Sequence, residues 1–104
     1  MDAAVDHVRQ EWEESARRFD AALGSGVQRD RLLTQLEVVS ATLRRRVGET
    51  FTLADLAREY GDADRWSHEA VAESDPPPGW MRTLTLVQGA AFHAYARGAI
   101  DYAP

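Results

Sequence analysis

Hydrophobic positions in this chain recur at helical spacing. Val5, Val8, Trp12, Ala16, Phe19 and Leu23 follow one another at steps of three or four, which places them in one stripe on one helical face. The stripe predicts a first helix over about 3–23, with Asp2 as its N-cap and Gly24 as its stop. After Gly24-Ser25-Gly26 a second row begins: Leu32, Leu36, Val39 and Leu43, widened by Leu33, Val38 and Val47. Ser25 and Gln28 have the spacing of a capping box, and Gly48 follows the last periodic residue. Two long helices joined by so short a turn are expected to form an antiparallel hairpin over 1–48.

The stretch FTLADLAREYG, residues 51–61, predicts a third helix with dense terminal signals. Thr52 is its N-cap with Asp55 at N3, and Phe51 and Leu56 form a hydrophobic staple. Leu53, Leu56, Ala57 and Tyr60 make the buried face, and Gly61 is read as the terminating C′ residue. A fourth helix would then start at Asp62 or Asp64, turn Trp66, Ala70 and Val71 inward, and end near Ser74. These two helices form a helical corner over 49–75. Pro76-Pro77-Pro78 is a stiff connector over 76–79. The last helix spans about 80–99, with Leu84, Val87, Ala91 and Tyr95 as its main stripe and Trp80, Met81, Phe92 and Ile100 alongside. With apolar residues on nearly every face it is expected to be the central helix. Ala90, Ala94 and Gly98 form a row of very small side chains, which lets another helix come close. No segment alternates at period two, so the expected fold is all-α, a single domain over 1–104, with residues 80–104 ending in a docked tail that carries Tyr102.

Composition narrows the function more than it names it. The 104 residues contain no cysteine, which removes disulfides, thiolate metal sites and cysteine nucleophiles. All twelve basic residues are arginine, so neither a Schiff base nor a P-loop lysine is available. The start, MDAAVDHVRQEWEE, has neither the basic nor the apolar region of a signal peptide, and no apolar run approaches a membrane span. A cytoplasmic protein without membrane contact is expected.

The segment FTLADLAREYG resembles the first half of a helix-turn-helix, with Ala57 at the packing position and Gly61 at the turn. The second half, DADRWSHEAVAESD, carries Arg65 against five acids and has Ser67 where the turn packing wants a branched apolar residue. Affinity for DNA rests largely on neutralising phosphates, so nucleic acid is disfavoured as a partner. Together with FHAYARGAIDY, the same segment resembles small uncharacterised helical proteins of high-GC actinobacteria, a resemblance that implies no activity, ligand or site.

Candidate chemistry is sparse. His7, His68 and His93 have no paired metal-ligand spacing. The serines lack a nucleophile elbow, and the glycines form no phosphate cradle. Neither an enzyme nor a bound cofactor or metal is expected. The expected function is contact with another protein, or with a second copy of this chain, as an adaptor or regulator. A transcription-linked helix-turn-helix protein, contacting DNA or the transcription machinery, is the alternative. Candidate contact residues are Trp12, Phe19 and Leu36 on the hairpin, the arginine run Arg44, Arg45 and Arg46, and Trp66 and Tyr102. For the apolar members, burial in an internal core is the equal alternative.

Overall fold

Among residues 3–102, which the computed structural model describes, the chain forms four helices: α1 (Ala3–Gly24), α2 (Arg29–Val47), α3 (Leu53–Ala72) and α4 (Trp80–Ala96). The proposed N-cap at Asp2 lies outside the described residues. Neighbouring helices in the chain run in opposite directions. Trp12 meets Phe92 at 5.5 Å between ring centroids and Arg9 lies over the Tyr102 ring, so α1 and α4 are antiparallel. The start of α3 bonds to the tail after α4, while His68 near its other end meets Trp80 at 5.3 Å, so α3 is also antiparallel to α4. The Tyr95 hydroxyl donates to the Ser40 carbonyl at 3.2 Å, and Leu36 lies beside Ala90 while Arg44 lies beside Gly98, so α2 runs the same way as α4. The result is an up-and-down bundle.

The last helix holds this bundle together. α4 packs on α1, α2 and α3, and most extensively on α1. Every residue from Val87 to Phe92 is buried, as apolar character all round the helix requires. The predicted hairpin is present. α1 and α2 are antiparallel and joined by a short turn, but they touch each other little, because each packs instead on α4. α1 and α4 come so close that Gly89 lies directly against the Ser15 side chain. The row Ala90, Ala94 and Gly98, expected to receive a neighbouring helix, is covered only at Ala90.

The predicted helical corner is absent. α3 continues unbroken through Gly61 to Ala72. The reason is the phase of the buried positions: Leu56, Tyr60, Ala63, Ser67 and Val71 step by four, three, four and four, on one uninterrupted face. Ala63, Ser67 and Val71 are fully buried. Their burial outweighs the roughly 1 kcal/mol that a glycine costs within a helix. Gly61 is exposed, and a Cβ added there would meet nothing within 4 Å. Gly61→Ala is therefore expected to raise the unfolding free energy by about 0.5–1 kcal/mol in urea denaturation. A turn glycine would give the opposite sign, so a destabilised variant would restore the corner.

Terminal signals fare unevenly. At α3 the capping box forms: the Asp55 N–H donates to Thr52 Oγ1 and the Thr52 N–H donates to Asp55 Oδ2, both at 3.1 Å. The staple residues Phe51 and Leu56 are both buried. At α2 the proposed box is replaced. Gln28 takes the N-cap position at φ 57° without a side-chain bond, and the Ser25 hydroxyl instead donates to the Ala22 carbonyl at 2.7 Å. The same Ser25 oxygen accepts from the Val27 N–H at 3.3 Å, so it serves the turn and not the start of α2. Gly48 ends α2 at φ 74°, and its N–H donates to the Arg44 carbonyl, as expected of a C-terminal glycine.

The cap gives Asp55 a pH signature. The Thr52 backbone N–H, then the Thr52 side chain, holds its carboxyl below the usual aspartate value of 3.8, with Arg58 helping. A carboxyl lowered by folding stabilises the fold above its unfolded pKa, and that contribution fades as pH falls through the folded pKa. The melting temperature of Asp55→Ala is therefore expected to lie below that of the native chain at neutral pH. The gap should narrow as pH falls below about 4. A gap that stays constant into acid would mean the carboxylate charge plays no part in the cap.

The tail is docked, as Tyr102 led one to expect. The Ile100 N–H donates to the Phe51 carbonyl, and Asp101 Oδ1 accepts from the Leu53 N–H, both at 2.8 Å. Asp101 thereby occupies one of the free N–H groups at the start of α3, where a negative charge also suits the helix dipole. Tyr102 is half-buried beneath the Arg9 guanidinium, 4.7 Å from its ring centroid.

Candidate functional site

The positions just beside the buried stripe of α1 carry Glu13, Arg17 and Asp20. They sit at helical spacing, so they share a face. On α4, His93 and Arg97 sit at the same spacing next to Ala90 and Ala94. Because α1 and α2 both pack on α4 and little on each other, the side of the bundle between them stays open. There these residues line a groove of about 600 Å³. Its apolar lining comes from Ala16 and Phe19 of α1, Leu36 of α2, and Ala90 and Ala94 of α4. A second hollow of about 420 Å³ continues from Ala94 past Gly98, with Arg44, Glu49 and Tyr95 at its sides. The small-residue row of α4 thus runs through both hollows. Ala94 is exposed on α4, and Gly98 is exposed just beyond its end.

The sequence-chosen contact residues divide between core and groove. Trp12 and Trp66 are corrected: both are core. Trp12 is fully buried, with Tyr60 edge-on at 5.7 Å and Phe92 at 5.5 Å. Trp66 stacks on Phe92 at 6.2 Å. Phe19 is 3% exposed and Leu36 is half-buried, and both line the groove. Tyr102 belongs to the docked tail. The charged groove residues Glu13, Arg17, Asp20 and Arg97 were not singled out in the sequence. Their signal was legible as an acid–base–acid series one position past Trp12, Ala16 and Phe19.

The arginine run serves three purposes. Arg46 pairs with Glu59 of α3, whose carboxylate also accepts from Trp66 Nε1 at 3.0 Å, and the Arg46 guanidinium lies 5.6 Å from the Trp66 ring centroid. Arg45 donates to Thr42 Oγ1 at 3.2 Å on its own helix. Arg44 alone reaches the groove, at its far hollow. The three guanidinium groups therefore do not form one basic patch of the kind that tracks a phosphate backbone.

The histidines are dispersed. His7 lies 3.6 Å from Glu11, His68 lies 3.4 Å from Asp64, and His93 lines the groove. Among the described residues no three histidine, aspartate or glutamate side chains converge in a way that would hold a metal. No helix is long and apolar enough to cross a membrane. Tyr60 has its phenol pushed up by burial, with the Glu11 and Asp64 carboxylates adding to the effect; it packs between Trp12 and Phe92 as part of the core. Comparison with family models, with curated proteins and with solved structures finds no match for this chain.

Proposed function

We propose that this is a non-enzymatic helical protein that acts in the cytoplasm through protein–protein contact, as an adaptor or regulator, with the groove over α4 as its contact face. One observation carries the reading. The most deeply packed helix of the bundle leaves Ala94 uncovered, as is Gly98 just after it, in a groove with an apolar lining and charged walls. An apolar centre with a polar rim is the general anatomy of a protein interface, and small side chains allow a second backbone to approach closely.

Ala94→Arg tests the reading, because it places a long cation in the groove and alters no buried residue. Tagged native chain and variant are compared in pull-downs from native lysate after nuclease treatment, with circular dichroism as the check on folding. A near-stoichiometric protein held by the native chain and lost from the folded variant is expected. Identical recovery by both forms, or recovery by neither, defeats the groove as the contact face. Binding that vanishes with nuclease points to nucleic acid instead.

A further inference from the structure

The buried stripe of α2 contains one polar residue. Leu32, Gln35, Val39 and Leu43 follow one another at steps of three and four, and all are buried. Gln35 is 3% exposed, and neither its amide nitrogen nor its amide oxygen has a hydrogen-bond partner among the described residues. A buried amide costs free energy unless its donor and its acceptor are both met, and a leucine at this position would carry no such cost. Gln35 is also the one buried member of the lining of a pocket of about 140 Å³, between α2 and the segment that leaves α3. The terminal torsion of a glutamine is soft, so its amide can turn toward a molecule that enters there.

Two charges line the same pocket. Arg31 lies one turn before Gln35 on α2, and Asp75, at φ 57°, turns the chain out of α3 toward the prolines. Neither belongs to an ion pair among the described residues. Thr34 and Ser74 also line it, and their hydroxyls donate to the Asp30 and Val71 carbonyls. Toward the pocket those hydroxyl oxygens offer acceptors alone. The lining thus holds donors for an anionic group, at Arg31 and the Gln35 nitrogen. It holds acceptors for a cationic one, at Asp75, the two hydroxyls and the Gln35 oxygen. At the volume a water takes in the liquid, there is room for about five non-hydrogen atoms.

We infer that this pocket binds a small zwitterion of the α-amino acid class, the size of glycine or alanine. Its carboxylate accepts from the Arg31 guanidinium and the Gln35 Nε2 group, and its ammonium donates to the Asp75 carboxylate and to Gln35 Oε1. Charge-assisted hydrogen bonds are the strong ones, and a dipolar ligand meets both halves of the glutamine amide at once. A lone anion or a lone cation leaves one half unmet. The pocket shares no lining residue with the groove over α4, so the inference stands apart from the contact face proposed above.

Titration of the isotopically labelled chain with glycine and with alanine, followed through its backbone amide resonances, tests this. A saturable response is expected for at least one of them, with a dissociation constant of about 1 mM or tighter, centred on residues 31–35 and 73–75. Acetate and methylammonium each carry one half of the ligand's charge and are expected to bind about tenfold more weakly or worse. Arg31→Gln and Asp75→Asn change exposed residues, and asparagine tolerates the left-handed backbone at position 75. Each is expected to weaken binding by about tenfold or more, and Gln35→Leu to abolish it, with circular dichroism as the check on folding. No saturable response to either amino acid leaves water as the partner of Gln35 and overturns the inference. So do equal binding of acetate or methylammonium, a response centred elsewhere, or undiminished binding by the folded Arg31 and Asp75 variants.

Discussion

Trp12→Ala is expected to lower the unfolding free energy by about 3–5 kcal/mol, the usual cost of deleting a large aromatic from a closed core. Trp12 is 0% exposed and meets both Tyr60 and Phe92, and Phe92 in turn stacks on Trp66. Two helices besides its own therefore share Trp12, α3 through Tyr60 and α4 through Phe92. Removing it opens a void between helices that are tied elsewhere and cannot close over it. A domain of this size has about 5–15 kcal/mol in total, so the variant should unfold at much lower urea. Trp12→Phe is the informative companion. The Trp12 Nε1 group has no hydrogen-bond partner among the described residues, so phenylalanine gives up volume but none of the hydrogen bonds seen there. Its cost should be well below that of alanine. If Trp12→Ala melts like the native chain, Trp12 is not in the core and its role as a surface anchor revives.

Gly89→Ala is the second large effect, and it arises from one added carbon. A Cβ at Gly89 would fall on the Ser15 side chain, 2.5 Å from Oγ and in closer conflict with Cβ itself. The Ser15 hydroxyl can rotate away, but its Cβ is fixed to the α1 backbone. Relief requires α1 and α4 to part, along the most extensive contact in the bundle. Overpacking of this kind costs about 1–3 kcal/mol, occasionally more, and the upper part of that range is expected because backbone must move. Alanine is the better helix former by about 1 kcal/mol, so propensity alone predicts the opposite sign. Ser15→Gly removes the obstructing carbon. The double variant should therefore recover stability beyond the sum of the two single effects, as coupling between residues in contact requires. Strict additivity by urea denaturation would show that the close approach does not exist.

The contrast between Gly89 and Gly61 shows what was legible in the sequence. Both are single glycines inside helical patterns, and local chemistry does not tell them apart. Gly61 reads as a terminator because an amphipathic helix ending in glycine is a familiar stop. The better signal was the unbroken phase of Leu56, Tyr60, Ala63, Ser67 and Val71 across it, since a turn would reset that phase. Beside Gly89, the row Ala90, Ala94 and Gly98 is the more regular one and hides it. Regular spacing reports which residues share a face, but not which face meets which helix. That depends on the order of the helices around α4, which no single stripe encodes. The all-α class, the helix ends at Gly48 and Trp80, the Thr52–Asp55 cap and the central place of α4 were all legible, because each follows from residues close together in the chain. The groove was not. It exists because α1 and α2, adjacent in sequence, both pack on a helix that begins more than thirty residues later.

That same arrangement bears on how the chain is made. The helix that α1, α2 and α3 all pack against is the last to leave the ribosome. Until α4 emerges, the stripes of α1 and α2 have little of each other to bury against. The residues that follow α4 include Ile100 and Asp101, which bond to the first turn of α3. Nascent chains with exposed apolar faces are prone to association and to capture by chaperones. Until α4 emerges, the first three helices are thus amphipathic segments waiting for their common centre, and the core closes only when it arrives.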